Sequence, residues 1–161
     1  MTASARPHLV LGGAGIDAGN HQLVELIRSR GLADRTTLLG PVERPELLFP
    51  AFDVACLASD HEGLPNTVGE AMACGVPVVA SAVGDAGRLV GDTGLLVEPG
   101  NVKQFAAALD QLVGMPTEDR LALGAAARAR ILDEYPVGSM AQRTSSLYRR
   151  VATSLAGEAA T

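Results

Sequence analysis

Two carboxylates, Glu62 and Glu70, stand with seven residues between them in the segment SDHEGLPNTVGEAMACG, residues 59–75. The segment follows a buried-type apolar run, Asp53–Ala58, and opens a helix predicted over Asn66–Cys74, with Asn66 as its cap and Gly75 at its exit. A helix N-terminus presents unpaired N–H groups and a partial positive charge, so it suits a phosphate. With Val68, Ala71, Met72 and Gly75 turned to the protein, Glu70 falls on the opposite side, among Thr67, Ala73 and Cys74. That side carries no other charge, and its small side chains leave room for close approach. Two acids beside a phosphate repel it unless they accept hydrogen bonds from hydroxyls instead. A ligand with hydroxyls at both ends and a diphosphate in the middle, the make-up of a nucleotide sugar, meets that condition.

The elements that must position these residues alternate along the chain. Short apolar runs are predicted as strands at His8–Gly12, Thr36–Gly40, Asp53–Ala58, Val76–Ser81 and Gly94–Val97. Helices are predicted at Asn20–Arg30, Glu43–Phe49 and Asn66–Cys74, then at Val102–Gly114, Thr117–Glu134 and Ser139–Ala156. Near-continuous apolar strands between helices imply an α/β doubly wound parallel sheet of about five strands, covered on both faces and followed by C-terminal helices. Ligands of such sheets bind at the carboxyl ends of the strands. Gly12-Gly13-Ala14-Gly15 and Gly40-Pro41-Val42 fall at such ends. The first string superficially fits a dinucleotide fingerprint. The second strand, however, ends in Gly40-Pro41 rather than an acid for a ribose hydroxyl, so a tight turn at the mouth of a cleft is the better reading.

Composition narrows the classes. The 161 residues are 47% hydrophobic, 19% charged and 3% aromatic, with no Trp and a net charge of −5. One domain with a real core is expected, and no nucleic-acid partner, because the arginines are scattered and Lys103 is the single lysine. Cys56 and Cys74 lie in apolar surroundings and read as reduced core thiols, with no metal-ligand spacing. His61 reads as a partly exposed turn residue. Arg88 is a surface or ion-pair side chain by preference, with a cleft-facing role as the alternative. No apolar run reaches the ~20 residues of a membrane span. A cytoplasmic protein is expected, with at most peripheral contact at the inner face of the membrane.

SDHEGLPNTVGEAMACGVPVVASAVGDAGRLVGDTGLLVEPGN resembles the donor-binding half of a retaining family 4 glycosyltransferase with the GT-B fold. Glu62 and Glu70 match that family's E-x7-E motif, and the resemblance extends over residues 8 to about 150. It implies that Glu62 accepts hydroxyls of the transferred sugar and is the residue closest to catalysis. Backbone N–H groups of Gly63, Leu64, Asn66 and Thr67 would surround the sugar and diphosphate. Glu70 would take the ribose hydroxyls, the Gly40–Val42 turn would meet the base, and Gly13 and Gly15 would line the same cleft. No cofactor beyond the nucleotide-sugar substrate and no metal are implied. In this family the helix dipole and cationic side chains stabilise the leaving diphosphate, as an oxyanion hole does.

The family also carries an acceptor domain, an opening strand and helix, and an Arg and a Lys for the diphosphate, none of which the 161 residues match. Residues 1–161 are therefore expected to form a single, incomplete donor domain. The glycan or lipid-linked acceptor would bind through the missing N-terminal domain. The strands His8–Gly12 and Asp53–Ala58 are expected to lie apart, pair directly, or receive a strand from another chain. A bare sheet edge and apolar face would favour aggregation. The alternative to an enzyme is a non-catalytic nucleotide-sugar-binding module, or a half-enzyme needing a separate N-terminal partner. A generic dinucleotide-binding domain is a third reading.

Overall fold

The computed structural model describes residues 6–158. Five short strands, β1 (Leu9–Leu11), β2 (Thr36–Leu38), β3 (Ala55–Leu57), β4 (Val78–Ser81) and β5 (Leu95–Val97), all pair in parallel. They form two sheets rather than one: β1 with β2, and β3-β4-β5 with β4 in the centre. Of the three expected arrangements, β1 and β3 lie apart. Each keeps one edge without a partner strand among the described residues.

Among the described residues there are also seven α-helices: α1 (His21–Ser29), α2 (Pro45–Leu48), α3 (Asn66–Ala73), α4 (Ala86–Val90), α5 (Val102–Gly114), α6 (Thr117–Glu134) and α7 (Val137–Glu158). The ends of α1 follow from sequence. Asn20 Oδ1 accepts the Leu23 N–H at 3.1 Å, and Gly31 follows at φ +64°. Pro45 opens α2, where its missing N–H is no loss. Helix α4 was not expected; five residues are too few to show a helical period. It places Arg88 on a helix with its side chain exposed.

Side chains alternate across β4. Val78 and Ala80 join Val68, Ala71 and Met72 of α3, Leu89 and Val90 of α4, and Ala127 of α6 in one core. Val79 points the other way and joins Val97, Ala108 and Leu112 in a second core under α5. Both faces of the central strand are thus dry. Each fully buried Val, Leu or Met contributes roughly 1.5–3 kcal/mol. Cys56 lies in register with Val79, on the α5 side, yet is exposed. Helix α5 packs chiefly on β4 and β5, so Cys56 keeps contact with solvent rather than closing into that core, although its partial desolvation pushes the thiol pKa up to about 11. Cys74 is half-buried.

Helix α6 fastens the ends of α3 and α4. Arg128 donates to the Ala73 carbonyl. Arg130 donates to the carbonyls of Leu89 at 3.0 Å and Arg88 at 2.8 Å, and the Tyr135 hydroxyl also reaches Arg88 O, at 2.9 Å. These are the carbonyls that a helix end leaves without intrahelical donors. Beyond α6, helix α7 exposes Val137, Met140, Leu147, Tyr148 and Val151.

At the α3–α6 crossing, Gly124 packs directly on the Gly75 carbonyl, so a Cβ there would strike backbone, which cannot rotate away. Helix propensity favours Ala over Gly by about 1 kcal/mol, but overpacking against backbone costs about 1–3 kcal/mol. We therefore expect Gly124→Ala to lower the unfolding free energy in urea, by up to about 2 kcal/mol. Unchanged or raised stability would show that the crossing has slack.

Candidate functional site

The loop from residue 58 to Pro65 leaves the carboxyl end of β3 and enters α3. Its last residue, Pro65, is the N-cap of α3, and no side chain caps the helix. Asn66 is the first helical residue, not the expected cap. Its own N–H bends back to Leu64 O at 2.9 Å, and Pro65 O accepts from Val68 and Gly69 at 3.0 and 3.3 Å. Among the described residues, the N–H groups of Gly63, Leu64 and Thr67 have no protein acceptor. Three donors therefore stand free around the positive end of a helix dipole.

Helix α3 is seated by Val68, Ala71 and Met72, all at most 3% exposed. As the helical period requires, Glu70 lies on the other side, exposed and without a hydrogen-bond or salt-bridge partner among the described residues. Glu62 is half-buried in the loop, and Ser59 Oγ donates to its Oε1 at 2.8 Å. The Asp85 N–H donates to Gly63 O at 2.9 Å from the turn after β4. Neither partner was singled out from sequence for this role. The Ser59–Glu62 spacing of three residues, typical of a turn, was the available signal for the first. His61 is exposed, as expected.

The expected glycines gather at the ends of β1 and β2. Gly13 N–H donates to Gly40 O at 2.8 Å, and Gly40 N–H to Ile16 O at 2.7 Å. Gly40 is buried with φ +69°, a conformation open to glycine. A Cβ on Gly12 would stand 2.8 Å from Val42 Cγ2, so this loop and the Gly40–Val42 turn touch. Asn20 Nδ2 donates to Gly15 O at 2.8 Å, which ties the loop to the start of α1. Gly13, Gly15, Gly40 and Val42 thus form one knot. Glu62, Gly63, Leu64, Asn66, Thr67 and Glu70 lie along a second stretch, the α3 loop and helix. No hydrogen bond joins the two groups among the described residues.

Among the described residues, no three His, Cys, Asp or Glu side chains cluster to hold a metal ion. No helix among them is long and apolar enough to cross a membrane.

Open loop and helix ends at the carboxyl termini of parallel strands are the build of an α/β ligand-binding domain. The chain belongs to the glycosyl transferases group 1 family, whose profile matches residues 2–114. It is 37% identical over 164 residues to the D-inositol 3-phosphate glycosyltransferase of Kineococcus radiotolerans, a match covering 93% of this chain and 37% of that protein. It superposes with a TM-score of 0.78 on the structure of Anabaena HepE in complex with UDP-glucose, at 26% identity, covering 89% of this chain and 41% of that one. It also superposes on the C-terminal domain of a group 1 glycosyltransferase, LpcC, from Francisella tularensis. There the TM-score is 0.65 and the identity 26%, with 74% of this chain and 63% of that one covered. The fold is that of the C-terminal domain of GT-B glycosyltransferases. The chain spans about a third of the length of the curated relatives it matches.

Asn20 serves both the α1 cap and the Gly15 tether. Asn20→Ala should lower stability by about 1–2 kcal/mol in urea unfolding. Asn20→Asp should restore the cap but not the donor to Gly15 O, and so recover only part of the loss. Full recovery by Asp would remove the tether from the account.

Proposed function

We propose that this chain is the donor-binding part of a glycosyltransferase that moves a hexosyl group from a nucleotide sugar, a UDP- or GDP-sugar, to a glycan or lipid-linked acceptor. The observation that carries the reading is the combination at α3: free N–H groups of Gly63, Leu64 and Thr67 at the helix start, with a carboxylate before the helix and one inside it, neither in a salt bridge among the described residues. The N–H groups take the diphosphate, where negative charge develops as the sugar leaves. Glu62 accepts hydroxyls of the transferred sugar and holds it beside the breaking bond. Glu70, one turn into the helix, accepts the ribose hydroxyls. The knot of Gly13, Gly15, Gly40 and Val42 lines the same cleft and meets the base through backbone atoms. HepE, whose structure holds UDP-glucose, lends support through its shared fold.

In this reading the donor diphosphate leaves without a metal ion, and its departure assists attack from the same face, so configuration at the sugar is retained. Glu62 is then a binding and orienting carboxylate rather than one of a glycosidase pair. The acceptor binds outside these residues, in a separate domain, and the 161 residues alone hold the donor without turning it over. The work takes place in the cytoplasm, at or near the inner face of the membrane.

A hydrogen bond to a charged group is worth about 1.5–3 kcal/mol. By titration calorimetry, UDP-glucose or a GDP-sugar should bind the chain, and NAD should not. Glu70→Ala should weaken binding of both the nucleotide sugar and the free nucleotide by roughly one to two decades. An unchanged dissociation constant would remove Glu70 from the site, and preference for NAD would replace the reading by a dinucleotide-binding one.

A further inference from the structure

Resting on the donor site proposed above, we propose that Ser59 is the positioning residue for Glu62: its hydroxyl sets the carboxylate for the sugar, while Gly84 holds the backbone beneath it. Ser59 Oγ donates to Glu62 Oε1 at 2.8 Å, and among the described residues this is the one hydrogen bond the carboxylate makes. No Arg, Lys or His forms a salt bridge with it there. The carboxylate is therefore oriented without being neutralised, and Oε2 keeps its full capacity to accept.

The backbone of the same residue is gripped from the opposite direction. The turn after β4 brings Gly84 so close that a Cβ on it would collide with the carbonyl oxygens of Glu62 and Gly63, and would lie 2.9 Å from the Glu62 carbonyl carbon. Gly84 has φ +52°, and the next residue donates, Asp85 N–H to Gly63 O at 2.9 Å. That turn is anchored in the core by Val83 and Ala86, which are buried. A half-buried glutamate would otherwise sample several rotamers, and freezing them on binding weakens affinity. Ser59 does that ordering beforehand. Its contribution should fall on the sugar that Glu62 meets and spare the nucleotide.

The test measures Ser59→Ala, Ser59→Thr and Glu62→Ala in the 161-residue chain. Calorimetry with UDP-glucose and, separately, with UDP should show Ser59→Ala weakening UDP-glucose by about three- to tenfold and leaving UDP unchanged. Ser59→Thr, which keeps the hydroxyl, should restore the affinity. Ser59→Ala should have no further effect in a Glu62→Ala background. Equal weakening of both ligands, or an undiminished effect without Glu62, would overturn the proposal in favour of a general role in loop stability. A ligand-free readout separates this proposal from the donor site itself. Side-chain scalar couplings of Glu62 by NMR should report one rotamer in the unsubstituted chain and averaging in Ser59→Ala. Averaging in both would overturn the positioning role even if UDP-glucose binds. One ordered rotamer in a chain that binds neither UDP-glucose nor a GDP-sugar would instead sink the donor-site reading and leave the Ser59–Glu62 pairing standing.

Discussion

The seat of α3 governs the rest of the site. Val68, Ala71 and Met72 are driven into the core between β4 and α6, and that burial fixes which way the helix can face. Once those three side chains are inside, Glu70 must stand outside, and the helix start must project from the carboxyl ends of β3 and β4. The Gly124–Gly75 contact and the Arg128 bond to Ala73 O lock the other end. An apolar interaction thus aims a polar apparatus: the core positions donors and carboxylates that contribute nothing to the core themselves.

A second consequence concerns the loop before α3. Pro65 at the cap cannot offer an N–H, and the helix has no capping side chain. The usual neighbours that would satisfy the first N–H groups are absent from the described residues, and the loop is instead fastened from its flanks. Ser59 holds the Glu62 side chain and the Gly84–Asp85 turn holds the Glu62–Gly63 backbone. Fastening from the side leaves the helix end open toward solvent. A protein that only needed a stable helix would close that end with a cap worth about 1 kcal/mol.

Much of this could be read from residue order. The alternation of apolar runs and helical periods placed all five strands, and the long helices α5 and α6 were found at their observed bounds. The side assignment of Glu70 followed from period alone. What stayed hidden depended on tertiary geometry. Helix α4 is too short for a period to show. Asn66 has a capping side chain, yet Pro65 occupies the cap position, because backbone constraint outweighed side-chain propensity there. Cys56 sits in an apolar run and is nevertheless exposed, since a run reports local chemistry and not which face is covered. The division into two sheets was one of three open arrangements. The Gly84 contact joins residues more than twenty apart in sequence, and no local pattern could announce it.

The central claim is that the two groups of site residues, the glycine knot at β1–β2 and the loop entering α3, serve one ligand. Amide chemical-shift mapping with UDP-glucose tests it most directly. Gly13, Gly15 and Gly40 should shift together with Gly63, Leu64 and Thr67, with one common binding curve. Shifts confined to one group, or fitted by two different affinities, would contradict it.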